Sequence, residues 1–148
     1  MRKLIQAGLI AAVLAVPSAW AQDASPVGMW KSIDDETGKP KAMIRITDNQ
    51  GQLEGRIEKL FRPADQEQNP KCDKCDGARK DQPMVGMMIL SGLKKDGDAY
   101  SGGEILDPAN GKVYRSKATL KDGGKKLEVR GYVGAPMFGR SQTWVREP

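Results

Sequence analysis

The chain has 148 residues, and its 24 Lys and Arg against 19 Asp and Glu give a formal net charge of +5 at pH 7. It contains no histidine, which excludes Ser-His-Asp and Cys-His catalytic arrangements and removes the commonest general base at neutral pH. Basic residues are interspersed with acidic ones, and the few aromatic residues do not alternate with a basic stripe. The composition therefore does not indicate a nucleic-acid-binding protein.

The first 21 residues have the layout of a secretory signal peptide. A basic start, Arg2-Lys3, precedes the apolar segment 4–16, and Ala19 and Ala21 form an Ala-x-Ala cleavage site. That segment is shorter than the roughly 20 apolar residues that span a bilayer. The alternatives are an N-terminal membrane anchor and a core helix. We expect cleavage after Ala21, a periplasmic or secreted location, and one mature domain of residues 22–148 that does not span the membrane.

The mature chain consists of short apolar segments separated by turn residues rich in Gly, Asp and Asn. Period-two alternation between such turns is typical of β-hairpins, and no long segment has helical periodicity. The sequence predicts eight strands, at residues 27–33, 41–47, 52–58, 85–90, 99–106, 112–120, 126–133 and 140–145.

Strands joined by tight turns must be antiparallel, because parallel neighbours need a long crossover connection. Closing eight such strands into an up-and-down barrel removes the exposed edges that would otherwise invite association. We therefore predict an all-β fold, an eight-stranded antiparallel barrel in which the first and last strands pair. A two-sheet sandwich is the alternative. An eight-stranded barrel has an interior that side chains fill or that holds one small ligand.

One long segment, residues 59–84, lacks a strand pattern and contains both cysteines, Cys72 and Cys75. A long irregular connection in a small domain is typical of a lid, a binding loop or a disordered segment. An exported protein meets oxidising conditions, so a local disulfide between the cysteines is the first interpretation. A redox-active pair and a metal site or free thiols are the alternatives. Zinc would need about four ligands, and the chain offers no histidine and no further cysteine.

Several aromatic and polar side chains near the two chain ends are candidates for a ligand site. If the barrel closes, Trp30 lies near Trp144, and Arg140 or Arg146 can lie over a ring face. Strand alternation places Arg140, Gln142 and Trp144 on one face. Inward-facing groups of this kind suit an anionic or polar-headed ligand. The alternative is that the tryptophans fill the core and the arginines are solvated. The candidate ligand-binding residues are Trp30, Tyr114, Arg130, Tyr132, Arg140, Gln142 and Trp144.

Several motifs spread over the mature chain carry a resemblance to a known family. They are Gly28-x-Trp30-Lys31, Leu53-x-Gly55-Arg56-Ile57, Cys72-x-x-Cys75, Gly102-Gly103-x-Ile105-Leu106-Asp107-Pro108-x-x-Gly111-Lys112-x-Tyr114, Val129-Arg130-Gly131-Tyr132 and Phe138-Gly139-Arg140-x-Gln142-Thr143-Trp144. With these motifs the chain resembles the exported bacterial domain of unknown function numbered 2147. The resemblance implies a lipocalin-like, calycin-type barrel in the periplasm or outside the cell that binds a small hydrophobic or amphipathic molecule. It supplies no catalytic residues.

The sequence contains no convincing catalytic constellation, and we expect a binding protein without a cofactor or metal, not an enzyme. Three functions remain open. The first is a barrel that binds a small hydrophobic or amphipathic ligand, either neutral or anionic, in the cell envelope. The second is a protein interaction module that uses the cysteine loop, which an exposed apolar patch near Met84–Met88 would favour. The third is a thiol-disulfide redox protein.

Overall fold

Eight antiparallel strands form a closed barrel in the described part of the chain. The computed structural model describes residues 8, 10–12 and 24–148. Each strand pairs with the next along the chain, and the last pairs with the first. The strands are β1 (Gly28–Ile33), β2 (Pro40–Asn49), β3 (Gln52–Leu60), β4 (Met88–Asp96), β5 (Ala99–Asp107), β6 (Lys112–Lys121), β7 (Lys126–Tyr132) and β8 (Gly139–Arg146).

The N-terminal segment falls largely outside this description. The predicted signal peptide, residues 1–21, and its cleavage site lie outside the described residues except at positions 8 and 10–12. Across the residues that are described, no helix is long and apolar enough to cross a bilayer.

The pairing of β1 with β8 confirms the predicted closure and rules out the two-sheet sandwich. Trp30 lies opposite Arg146, and Ser32 lies opposite Trp144. The alternation that predicted the strands also gives the barrel its core. On β2, Ala42, Ile44 and Ile46 are buried, while the alternating Arg45 and Thr47 are exposed. Successive side chains of a strand point to opposite faces, so one apolar set from each strand meets in the interior.

The up-and-down order gives the barrel two different ends. The connections β1–β2, β3–β4, β5–β6 and β7–β8 lie at one end, which we call the mouth. Residues 24–27, the C-terminal residues and the remaining turns lie at the other end, which we call the base. The β2–β3 turn at the base is a two-residue turn. Its residues Gln50 and Gly51 both have positive φ, +54° and +85°, as a type I′ hairpin requires.

The prediction for β4 is wrong at both ends. Residues 85–87 form a turn, in which the Met87 N–H donates to the Met84 carbonyl. The strand begins at Met88 and continues through Ser91-Gly92, which we expected to end it, as far as Asp96. Gly92 adopts φ +73° and a Cβ there would lie 3.7 Å from the Gly103 Cα. The glycine therefore lets the strand continue past an irregularity, and pairing with β5 resumes at Lys94.

The long connection between β3 and β4 covers residues 61–87, slightly later than the predicted 59–84, because Lys59 and Leu60 still pair with β2. It contains the Cys72–Cys75 disulfide, which is confirmed. Both cysteines are buried in the main hydrophobic cluster. The Cys72 Sγ lies 3.7 Å from the Pro108 carbonyl oxygen in the β5–β6 connection. We call residues 61–87 the disulfide loop.

The disulfide loop is seated against the β5–β6 connection at a glycine. Gly111 is buried with φ +74°, and a Cβ at that position would overlap the carbonyl of Lys74. The backbone itself is held by an N–H from Cys72 to the Gln82 carbonyl and one from Asp81 to the Cys72 carbonyl, both at 2.8 Å. The loop therefore has a fixed position on one side of the mouth.

The base is sealed by Trp30 and Arg146. The Trp30 side chain is completely buried, and its Nε1–H donates to the Pro26 carbonyl at 2.7 Å. The Arg146 guanidinium stacks on the indole, 4.3 Å from the ring centroid. It donates to the carbonyls of Gly124, Val27 and Ser25. Partial burial lowers the pKa of Arg146 from its ordinary value. The expected stacking on Trp30 is confirmed for Arg146, not for Arg140.

We expect Arg146→Lys to lower the free energy of unfolding by about 2 kcal/mol, because an ammonium group cannot reproduce a planar fork bonded to three carbonyls and stacked on an indole. Arg115→Lys on the exposed outer face of β6 is the control and should change stability by less than about 0.5 kcal/mol. Urea unfolding of both variants gives the comparison. Equal stabilities of the two variants would contradict the role assigned to Arg146.

We expect Gly111→Ala to loosen the disulfide loop, because the added methyl group overlaps the Lys74 carbonyl. The control is Gly97→Ala, where φ is +62° but the space around the Cβ is open. That control carries only the left-handed backbone cost of about 1 kcal/mol. Amide hydrogen exchange should speed up at Cys72 and Asp81 in the Gly111 variant alone. Unchanged exchange there would show that the contact does not hold the loop.

Candidate functional site

The barrel contains a large cavity that opens at the mouth. Its volume, including the opening, is about 1460 Å³. The deep wall is mostly apolar and comes from several strands and from the disulfide loop. Its apolar members are Ala42, Ile44, Ile57, Leu60, Met84, Ile89, Ile105, Leu106 and Trp144. Because Trp30 and Arg146 seal the base, the cavity has one open end.

Polar atoms in the deep part of the cavity are few, and protein partners hold most of them. The Trp144 Nε1–H donates to the Gln142 Oε1 at 2.9 Å. The Asn110 side-chain amide donates to the Tyr114 hydroxyl at 3.0 Å. The Ser32 hydroxyl is buried 3.5 Å from the Ala42 carbonyl oxygen. The cavity wall is therefore mainly apolar. The Gln142 and Tyr114 side chains are its polar groups, and hydrogen bonds to protein partners hold both in place.

The mouth is charged, with acidic and basic side chains in nearly equal number. The cavity-lining acids are Asp34, Asp35, Glu36, Asp73 and Asp107, and the bases are Lys39, Lys41, Arg62, Lys71, Lys74 and Arg140. Several acids are already engaged. Thr37 and Glu36 donate backbone N–H groups to the Asp34 carboxylate and lower the pKa of Asp34 below its ordinary value. Ala109 donates to Asp107 at 2.9 Å. Among the bases, Arg62 donates to the Glu67 carbonyl and Arg140 faces Asp35, whereas the four lysines form no ion pair within the described residues.

Arg140 lies at the rim of the mouth. Its side chain is 89% exposed, and its guanidinium is 4.0 Å from the Asp35 carboxylate. On β8, Gln142 and Trp144 continue inward from it along the cavity wall. The structure thus brings together five of the seven predicted site residues, Tyr114, Tyr132, Arg140, Gln142 and Trp144, around one cavity.

Trp30 and Arg130 are placed differently from the expectation. Trp30 lies at the base and does not line the cavity. On β7 the buried Leu127 and Val129 point inward, and alternation places Arg130 on the opposite, outer face. Arg130 is not among the cavity-lining residues. Tyr132 is buried and borders the cavity near its rim, opposite Gly139.

Arg130 has a structural role that the sequence analysis missed. Its guanidinium donates to the carbonyls of Pro136 and Gly139 and to the Ser141 hydroxyl. These three bonds clamp the β7–β8 connection onto the outer wall. We call residues 133–138 the hairpin tip.

The hairpin tip exposes three large apolar side chains. Val133, Met137 and Phe138 are 66%, 76% and 68% exposed, and Val133 and Phe138 also line the rim of the cavity. The sequence carried the signal for this surface. Residues 133–138 contain no charged side chain, and they include the turn-forming residues Gly134 and Pro136. An exposed apolar patch near Met84–Met88, which would have favoured an interaction module, is not present, since the methionines there are buried or half-buried.

No group of three or more Cys, Asp or Glu side chains in the described residues is arranged to hold a metal ion. The Cys72–Cys75 disulfide offers little accessible sulfur, because the two residues are 0% and 2% exposed. The cavity itself offers an apolar wall, a few fixed polar groups and a charged rim.

Comparison with known proteins identifies the family and the fold. No curated protein matches the chain. Among solved structures it is similar to protein HP1028 from the human pathogen Helicobacter pylori, a member of the lipocalin family, with 18% sequence identity, 84% of each chain covered and a TM-score of 0.70. At that identity the likeness establishes a lipocalin-like barrel. The family described as "Uncharacterized protein conserved in bacteria (DUF2147)" matches residues 28–146, and the chain therefore belongs to the DUF2147 family.

Proposed function

We propose that this protein is exported to the cell envelope and binds one small amphipathic molecule inside its barrel. The observation that carries the proposal is the cavity of about 1460 Å³, closed at the base and open at the mouth. Pockets that bury a small organic ligand typically measure about 300–1,000 Å³ and are mostly apolar with a few polar groups. The interior therefore has room for an apolar chain of substantial length.

The charged rim indicates the polar end of the ligand. An apolar chain in the interior leaves its head group at the mouth, beside Arg140 and the lysines of the disulfide loop. Asp34 and Asp107 already accept backbone N–H groups, whereas Arg140 is almost fully exposed. Guanidinium and ammonium groups bind carboxylates and phosphates through charge-assisted hydrogen bonds. We therefore assign the head group as anionic.

The two other functions have weaker support. For a thiol-disulfide redox protein, exchange requires a thiolate to reach a disulfide sulfur, and both cysteines are buried. For an interaction module, the exposed apolar surface is at the hairpin tip and not on the disulfide loop. That tip is a few residues wide, well below the area of about 1,200 Å² that a stable protein interface buries.

We expect dansyl-labelled undecanoic acid to bind saturably, with a rise in dansyl fluorescence. Ala42 lines the deep cavity, and Ala42→Phe should weaken binding about tenfold or more by filling the space for the chain, which is ~1.4 kcal/mol or more. Thr143→Phe, which adds the same ring on the exposed outer face of β8, is the matched control and should bind like the unmodified protein. Circular dichroism checks that both variants keep the barrel.

Equal binding by the Ala42→Phe and Thr143→Phe variants would place the probe outside the barrel and contradict the proposal. The methyl ester of the same probe tests the head group. Because the ester carries no charge, it should bind several-fold more weakly than the acid if the basic rim contributes.

Export is tested on the protein produced in a bacterial host from the full sequence. We expect the periplasmic or secreted fraction to contain a chain that begins at Gln22, because the Ala19-x-Ala21 site follows the apolar segment. Intact-mass spectrometry distinguishes it from the uncleaved chain. A full-length mass confined to the cytoplasmic fraction would contradict the proposed location.

A further inference from the structure

A second, smaller cavity lies on the outside of the barrel. Its volume is about 520 Å³, and it is bordered by β3, the first half of β4 and the disulfide loop. It shares no lining residue with the interior cavity. Its size falls within the range of about 300–1,000 Å³ that is typical of small-molecule sites.

Irregular strand pairing creates this depression. Along β3 and β4 the register shifts twice, between the pairs Leu53–Leu93, Gly55–Leu90 and Arg56–Met88. Bulged strands bend and leave part of the sheet face unpaired. Beyond the last pair, the disulfide loop returns to β3 through the Gly86 N–H, which donates to the Ile57 carbonyl at 2.7 Å. The loop therefore overhangs the outer face of the sheet at the point where the strands separate.

Two arginines line this outer cavity, one from β3 and one from the disulfide loop. Arg56 comes from β3 and donates through Nη1 to the Gly86 carbonyl at 3.3 Å. Arg79 comes from the 3-10 turn Gly77–Arg79 of the disulfide loop and donates through Nη1 to the Met88 carbonyl at 3.3 Å. A guanidinium has five N–H donors, so each arginine is positioned by one backbone contact and keeps further donors for a ligand.

The charged side chains that line this outer cavity are all positive. Its only charged lining residues are Arg56 and Arg79. Neither arginine forms an ion pair with a carboxylate within the described residues. On β3 the neighbouring Glu58 is paired instead with Arg45. Two positive charges facing one cavity without a carboxylate repel each other, and an anion placed between them relieves that repulsion.

The remaining walls define the rest of the ligand. Val85, Met87 and Met88 supply an apolar side, and Gln82 supplies an amide that can donate or accept. Methionine side chains adapt to ligands of varied shape. We propose that this outer cavity is a second binding site, which takes a small organic anion with its carboxylate or phosphate between Arg56 and Arg79 and its apolar body against Val85, Met87 and Met88. The site does not depend on the ligand proposed for the barrel interior.

Amide NMR titration of the purified protein tests this site with four probes: phenyl phosphate, benzoate, inorganic phosphate and benzyl alcohol. We expect saturable shifts at Arg79, Gly86 and Met88 with both aromatic anions, weaker binding of inorganic phosphate, and no saturation with benzyl alcohol. Phenyl phosphate binding tighter than benzoate would identify a phosphate ligand, and the reverse order a carboxylate ligand.

Variants separate the two arginines from general surface charge. The double variant Arg56→Gln with Arg79→Gln should weaken phenyl phosphate binding at least tenfold. Arg115→Gln, which removes one charge from the exposed face of β6, should leave the affinity unchanged. The double Lys variant should be intermediate, because lysine keeps the charge but not the planar fork.

A second design keeps both arginines and their backbone bonds. Ser91 also lines the cavity, and Ser91→Glu places a carboxylate where the anion would lie, so it should abolish binding even if the glutamine variants loosen the loop. Full binding by Ser91→Glu would overturn the proposal. So would anion-induced shifts that spread evenly over the lysines and arginines of the surface, since such shifts report non-specific attraction.

Discussion

The three-residue pairing between β1 and β8 is the constraint on which the rest of the structure depends. It has as few residue pairs as the irregular β3–β4 pairing, and without it two strand edges would face solvent. Several contacts reinforce it. The Glu147 N–H donates to the Met29 carbonyl at 2.9 Å, and the Glu147 carboxylate is 2.7 Å from the Lys31 Nζ. Arg146 ties residues 25–27 to the base. Closure and sealing of the base are thus achieved by the same few residues, and the cavity can open only at the mouth.

Small residues on the inner face explain why the interior is open and not filled. Gly55 and Gly131 occupy inward positions, where a Cβ would lie 3.0 Å from Leu90 and 3.4 Å from Ile105. At Gly103 a Cβ would lie 2.6 Å from the Ser91 carbonyl oxygen. Gly55 and Gly103 let the strands approach closely beside Leu90 and Leu93, which are fully buried. Gly131 lies nearer the mouth and lines the cavity without a side chain. The residues nearer the mouth are left around an unfilled space.

Much of this architecture was predictable from sequence, because strand alternation and turn chemistry are local signals. The strand number, the closure and the stacking of an arginine on Trp30 all follow from them, whereas the disulfide was predicted from the oxidising conditions that an exported protein meets. The facing of Arg130 was also encoded. By strand alternation it lies on the same face as Lys126 and Glu128, whereas the apolar Leu127 and Val129 lie on the other face. The path of β4 through Gly92 was not predictable, because a glycine that ends a strand and one that allows a bulge look alike until the facing strand is known.

The disulfide loop forms part of the wall of both cavities, and this explains why a four-residue disulfide is useful there. A ring this short removes little entropy from the unfolded chain, so its effect on global stability is small. Its effect on position is larger. Met84 lines the interior cavity and Val85 lines the outer one, and the Val85 N–H is held by the Asn69 side chain at 3.1 Å. Buried sulfurs in the middle of the loop and backbone bonds to Ile57 at its end leave this thin wall little freedom. The cysteines therefore help to fix the shape of two cavities that they do not line.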